Sequence, residues 1–512
     1  MRLPSPFAVL LVAAAAQSKA PQSNAPPFDV AAAWRDVEAA FRAACTKEHV
    51  VGASLLVVRG QDEIGFAAFG DADREGHRPV DRDTIFHWAS CTKTLTGIAA
   101  MQLRDRGRLR LEQPIVELVP ELRDVHDPFG PVDAITIRHL LSHSAGFRGA
   151  TWPWGGDQPW HPHEPTQWSQ LVAMMPYTEV EFAPGSKFSY SNPGLVFVGR
   201  AIERLTGDDY EVYMEKNVLR PLGMQHSYFD VTPYHLQRFR SHSYAVGKDG
   251  AVEDHGPDFD TGITVSNGGL NAPLPDMARY LAFLLGAVPA DSDAAHVLAR
   301  SSLEEMWQPV LPLAQGSKES IGLCFFVGTR DGQCVVGHTG GQRDFVTFFY
   351  VHPASGTGAL GAFNTSTAGP AMAAVRRACL EGLSLPLAAA AGGTADAVAW
   401  GSCRLQWHKS ADGVTVVVNV PTGGHVLTFE RAVQDVPVVD VELKLETPAA
   451  NEVVAQARQD LTVDVPAKEF VVLARGERFV CPTLRVRIAT WMRGAQYFVA
   501  PAHELAATFA LR

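Results

Sequence analysis

The sequence predicts an α+β fold followed by a smaller all-β C-terminal domain, and three observations carry that expectation. Strand-like apolar runs stand near both ends of the first 385 residues, each beside a helical run. Helical periodicity dominates between them, from Thr92 to about Gly223. Beyond residue 400, short apolar runs alternate with turn signals such as Asp412-Gly413. Strands at both ends of a domain, closed by terminal helices with a helical insert between, make an α+β arrangement. The trailing segment reads as a sandwich or barrel.

Taken in order, Met1 to about Ala20 carries Arg2, an apolar run from Phe7 to Ala16 and small residues at Ala14-Ala15-Ala16 and Ser18-Lys19-Ala20. That is the pattern of a secretory signal peptide, cleaved after Ala16 or Ala20, and it predicts an exported protein. The run is too short to cross a bilayer. An alanine-rich unstructured N-terminus is the plainer alternative. Phe28 to Cys45 reads as a helix, and Val51 to Arg59 with Ile64 to Gly70 as a hairpin. Thr92 to Arg106 is helical, with apolar residues at Leu95, Ile98, Ala99 and Leu103. Another helix runs from about Leu195 to Leu205. Strands return at Ile321 to Val327, Cys334 to His338, Phe345 to Val351 and Ala359 to Phe363, before a helix from Ala368 to Leu383. Pro386 to Ala399 opens on a helix-stopping proline and reads as a linker. The predicted divisions are therefore 1–20, 25–385, 386–399 and 400–512. In the last of these, strands are expected at Cys403 to His408, Val414 to Val420, Val438 to Leu445, Phe470 to Leu473, Leu484 to Ile488 and Ala495 to Val499.

The most informative stretch is Ser90-Cys91-Thr92-Lys93, at the start of the helix from Thr92. A serine there and a lysine one turn later share a helix face, within reach of each other. The helix N-terminus adds free N–H groups and a positive field where an oxyanion forms. A serine hydroxyl needs a base, and a lysine serves only if its pKa is lowered. Alone, the tetrapeptide reads better as a helix start with an exposed lysine. Two further segments change that. Tyr190-Ser191-Asn192 sits in a loop bounded by Pro184-Gly185 and Pro193-Gly194, and His338-Thr339-Gly340-Gly341 lies at a strand edge or hairpin between two apolar runs.

With Ser-x-x-Lys, Tyr-x-Asn and His-x-Gly in this order, the chain resembles the serine β-lactamase/penicillin-binding superfamily. The resemblance is to the branch of class C β-lactamases, D-alanyl-D-alanine carboxypeptidases, D-aminopeptidases and β-lactamase-like esterases. Softer matches are Leu109 to Pro114, the segment Ile137 to Phe147 with His139 and His143, and Asn267-Gly268-Gly269-Leu270 with Asp276. The resemblance covers about Val30 to Leu385. It implies an antiparallel sheet packed by terminal helices beside an all-helical region, with the active site between them. It implies a metal-free acyl-enzyme mechanism without cofactor, on an ester, a D-amino-acid amide or peptide, or a β-lactam. Cell-wall-derived substrates are among these. A sensor acylated once by a β-lactam, or an extracellular scaffold, is the alternative.

On that reading Ser90 is the nucleophile, and Lys93 takes or relays its proton. Tyr190 is the second base candidate, its phenolate favoured by cationic Lys93. Asn192 orients Lys93 and holds a substrate carbonyl. His338, Thr339, Gly340 and Gly341 line the substrate, with the N–H groups of Ser90 and Gly341 as oxyanion donors. His338 stands where class C enzymes have lysine. A partly charged imidazole makes a weaker, pH-sensitive carboxylate anchor. His139 and His143 read as structural, and Cys91 as a packing residue.

Composition narrows the rest. Hydrophobic content of 46% and charged content of 19% are those of a globular protein. A net charge of −11 without a Lys/Arg cluster argues against nucleic acid. The seven cysteines leave at least one thiol free in an exported protein, with Cys403 and Cys481 a plausible pair. His161-Pro162-His163-Glu164 is the best metal-like cluster and reads better as a polar loop.

Overall fold

The structure is a computed structural model that describes residues 28–147, 149, 165–257, 261–330 and 333–390, and beyond them the backbone of the strands between 396 and 511. The signal-like segment, the His161 cluster, most of the loop from Thr151 and the side chains of Cys403 and Cys481 lie outside the described residues.

Helix α1 (Val30–Lys47) begins where the Asp29 carboxylate accepts the N–H of Ala32 at 2.9 Å. The hairpin β1 (Gly52–Arg59) and β2 (Asp62–Asp73) follows, then β3 (Arg78–Pro79) and β4 (Ile85–His87). The helical region holds α2 (Thr92–Asp105), α3 (Ile137–Leu141), α4 (Trp168–Met174), α5 (Asn192–Thr206) and α6 (Tyr210–Met214). It continues through β5 (Tyr228–Phe229), β6 (Tyr244–Val246), β7 (Val252–Asp254), α7 (Val265–Gly268), β8 (Leu270–Pro273), α8 (Leu274–Leu285) and α9 (Arg300–Met306). The chain then returns to the sheet with β9 (Leu311–Pro312), β10 (Glu319–Ile321), β11 (Phe326–Arg330), β12 (Gln333–Gln342), β13 (Phe345–His352) and β14 (Thr357–Phe363), before α10 (Gly369–Cys379).

Nine strands form one antiparallel sheet in the order β3-β2-β1-β14-β13-β12-β11-β10-β9. The first hairpin thus pairs with a strand some 300 residues later in sequence, and the helical region is inserted between the sheet's two halves. Alternation along the central strands explains the layering. Leu55, Val57, Phe348 and Tyr350 join α1 and α10 in one core, whereas Leu56, Val58, Phe349 and Val351 join α2 and α8 in the other. Strands apolar on both faces need cover on both. Every residue of α2 from Thr92 to Leu103 is buried, so this helix is the axis of the domain.

Three sequence expectations change. The strand expected over Ile321 to Val327 is two strands, β10 and β11, separated by a turn in which the Gly322 N–H reaches the Phe325 carbonyl at 2.8 Å. The third motif lies inside β12, not at its edge. Pro386 does not stop the chain's helix. Helical residues run on through a wider turn over Leu380–Ser384 into α11 (Leu385–Ala390), of which Pro386 is the second residue.

Beyond Asp396 the described backbone is entirely strand, in a six-stranded and a five-stranded sheet. All six expected strands, at Cys403, Val414, Val438, Phe470, Leu484 and Ala495, have a described strand within or across them. Strands at Asp396–Trp400, His425–Arg431, Ala455–Val463, Glu477–Cys481 and Glu504–Leu511 were not expected. Among the described residues no helix is long and apolar enough to cross a membrane.

Candidate active site

The small sheet β4-β8-β5 brings the first motif to the loop before β8. The Trp88 N–H bonds the Leu270 carbonyl at 2.8 Å, its indole N–H bonds the Ala272 carbonyl at 2.9 Å, and the Leu270 N–H returns to Thr92 Oγ1 at 3.0 Å. Ala89 is held at φ 46°, a left-handed conformation that costs a non-glycine residue about 1 kcal/mol or more. One tight turn over Ala89–Cys91 then presents Ser90 at the head of α2.

Lys93 is 0% exposed, and its Nζ lies 3.0 Å from Ser90 Oγ and 2.8 Å from the Asn267 carbonyl oxygen. Burial pulls its pKa down to about 7, so a large share of the amine is neutral at physiological pH. The neutral amine has the lone pair that a serine proton needs. Cys91 faces the other way, its sulfur 3.6 Å from Thr347 Oγ1, and burial pushes its thiol up to about 12. It is a packing residue, as expected.

Tyr190 places its ring 5.0 Å beneath the Lys93 amine. Its phenol oxygen is buried and makes no hydrogen bond, although the nearby Ser90 hydroxyl favours ionisation. Burial dominates and raises the phenol pKa, which corrects the phenolate expectation. Burial thus favours the protonated phenol and the uncharged amine.

What holds Tyr190 is His143, read from sequence as structural. The Ser189 N–H bonds the His143 carbonyl at 2.8 Å, and the Ser191 N–H donates to His143 Nδ1 at 3.1 Å. The imidazole stacks on the Tyr190 ring at 4.3 Å. One residue, itself at φ 51°, grips the loop on both sides of the phenol. Replacing it with alanine should slow acylation roughly 100-fold, the order of loss a misplaced reacting group brings. Steady-state rates of the purified, folded variant check this, and an unchanged kcat/KM would remove the positioning role. His139 is structural as expected: its Nδ1 accepts the Thr136 N–H in the cap of α3.

Asn192 does not reach Lys93. Its Nδ2 donates to the Gly149 carbonyl at 3.2 Å, and its Oδ1 is buried without a partner. The lysine is oriented by the carbonyl of Asn267, whose own Nδ2 donates to the Asn192 carbonyl at 3.4 Å. The sequence signal for Asn267 was its place in the Asn-Gly-Gly-Leu segment.

The pleat of β12 turns His338 and Gly340 toward the nucleophile turn. A Cβ on Gly340 would stand 2.3 Å from the Trp88 carbonyl oxygen and 2.4 Å from Thr347 Oγ1, so only glycine lets strand and turn meet. Gly341 is exposed with open space beside it, room for a substrate backbone. Thr339 is half-buried on the opposite pleat and contributes its carbonyl, 2.5 Å from His338 Nδ1. His338 is 3% exposed, beside Phe326 at 4.8 Å and Tyr190 at 6.2 Å. Burial and the neighbouring Lys93 drop its pKa to about 3, which corrects the expectation of a partly charged carboxylate anchor.

Among the described residues, one group has metal-ligand chemistry, Asp73, His242 and Asp254. The His242 nitrogens each face a carboxylate, Nδ1 2.9 Å from Asp254 and Nε2 3.7 Å from Asp73. Five cysteines with described side chains, Cys45, Cys91, Cys324, Cys334 and Cys379, are free thiols.

Residues 35–383 match the family described as Beta-lactamase. Esterase EstB of Burkholderia gladioli is 31% identical over 206 residues, which are 39% of this chain and 52% of EstB, so the match spans about half of that relative. A D-stereospecific amidohydrolase from Streptomyces superposes with a TM-score of 0.55 at 25% identity, over 69% of this chain and 98% of its own. An octameric penicillin-binding protein homologue from Pyrococcus abyssi has a TM-score of 0.58 at 21% identity, a likeness of fold over 95% of this chain and all of its own. Since the family match covers well over half of the sequence and contains every residue of the cleft, the chain belongs to the β-lactamase family.

Proposed function

We propose that this protein is an exported serine hydrolase that cleaves an ester or a D-amino-acid amide or peptide through an acyl-enzyme on Ser90. The observation that carries the reading is the buried Lys93 amine, 3.0 Å from Ser90 Oγ, its pKa pulled down by burial to about 7. Neutral Lys93 takes the Ser90 proton as Oγ attacks the carbonyl carbon. The oxyanion is received by the N–H groups of Ser90 and Gly341. Tyr190 O–H protonates the leaving oxygen or nitrogen and regains its proton from Lys93. Water then repeats the sequence on the acyl-enzyme. No step needs a cofactor. The esterase and amidohydrolase named among the relatives support these two substrate classes. Residues 25–385 carry the chemistry in this proposal, and 400–512 form an accessory domain.

Side-by-side assay of p-nitrophenyl butyrate, nitrocefin and an acyl-D-Ala-D-Ala peptide, with intact mass of the quenched enzyme, tests it. Turnover of the ester with an adduct lost within seconds is expected. An adduct that persists for hours on every substrate would instead make the protein a sensor.

A further inference from the structure

We infer that His338 determines specificity by reading the leaving group: its Nε2 accepts a hydrogen bond from an N–H or O–H there, so the site favours donor-bearing, uncharged leaving groups over carboxylates. This rests on the serine-hydrolase reading above and names the substrate class of the same site. A carbonyl oxygen can only accept, so the contact of 2.5 Å between Nδ1 and the Thr339 carbonyl fixes the ring proton on Nδ1. The lone pair of the neutral ring is then on Nε2. That atom is buried and has no partner, and buried acceptors are rarely left unmet.

Its place says what would meet it. His338 shares the pleat of Gly340, which abuts the nucleophile turn, and its ring neighbours are Phe326 and Tyr190. The ring that carries the acceptor thus neighbours the Tyr190 phenol ring, from which a departing group collects its proton in the mechanism proposed above. A carboxylate placed there would meet a lone pair and the negative faces of aromatic rings. The adjacent cation candidate, Lys93, already donates to Ser90 and the Asn267 carbonyl.

The test uses the full chain and three benzoylglycyl esters whose acyl group and scissile bond are the same. The leaving groups are glycolamide, methyl glycolate and glycolate, with an N–H donor, no donor and a carboxylate. The wild type should show kcat/KM highest for the glycolamide ester, by roughly 3- to 10-fold over the methyl ester, the worth of one neutral hydrogen bond. The glycolate ester should be slowest. In His338→Phe the glycolamide-to-methyl ratio should fall to near one, and His338→Lys should move the glycolate ester to first place. If neither variant folds, the wild-type order alone decides. A wild type that prefers glycolate, or a glycolamide advantage that survives in His338→Phe, overturns the inference. So does turnover of p-nitrophenyl butyrate with none of the three esters cleaved, which leaves the hydrolase reading standing. Failure on all four overturns both.

Discussion

Ser90→Ala should abolish labelling by a fluorescent penicillin or a fluorophosphonate, and reduce ester turnover to the rate of the uncatalysed reaction. The variant should keep its thermal transition. Alanine suits the tight turn before α2, and Lys93 retains its bond to the Asn267 carbonyl. No neighbouring nucleophile can take over, because Cys91 and Cys324 are buried thiols with pKa values pushed up to about 12. Gel labelling and intact mass of the treated variant settle the matter. A label retained, or found on Cys91, would sink the assignment.

Lys93→Ala and Tyr190→Phe should each slow acylation roughly 10³-fold, and the double variant little more, because one proton path runs through both. Losses that multiply would separate the two groups. In the wild type, acylation should climb with pH through a value near 7, where the Lys93 amine loses its charge. A profile flat across that range would remove lysine as the base. The same burial predicts an effect on stability. The folded pKa, about 7, lies below the ordinary lysine value of 10.5. Between these values the unfolded chain binds the extra proton, so this site's contribution to stability rises with pH across that window. Lys93→Met, which removes the titration, should therefore gain most in melting temperature over wild type near pH 6 and least near pH 10. Matched thermal scans at the two pH values report the difference.

Much of the cleft was legible in sequence because its chemistry is local. Ser90 and Lys93 meet through one helical turn, and Gly340 announces a close approach by its identity. The central strands were legible because alternation along β1, β13 and β14 is maintained by two cores. What sequence hid depends on contacts between distant segments or on burial. His143 looked structural because its partners, Ser189, Tyr190 and Ser191, lie more than forty residues away and carry no mark of pairing with it. Asn192 was expected on Lys93, but that place is taken by a backbone carbonyl, for which side-chain identity gives no signal. The charge of His338 could not be read either, since an exposed imidazole and one 3% exposed are the same letter. Pro386 misled because a proline commonly ends a helix, whereas here helical residues run on past it.

The burial of α2 on every side also shapes how this protein responds to random mutation. Its residues from Thr92 to Leu103 have no solvent face, so a substitution almost anywhere along them lowers the amount of folded protein in the cell. A colony screen scored by colour alone would merge such variants with those that truly lack catalysis. Scoring soluble protein and turnover together would separate the two classes. It would leave Ser90, Tyr190 and His338 as positions where activity changes while yield does not.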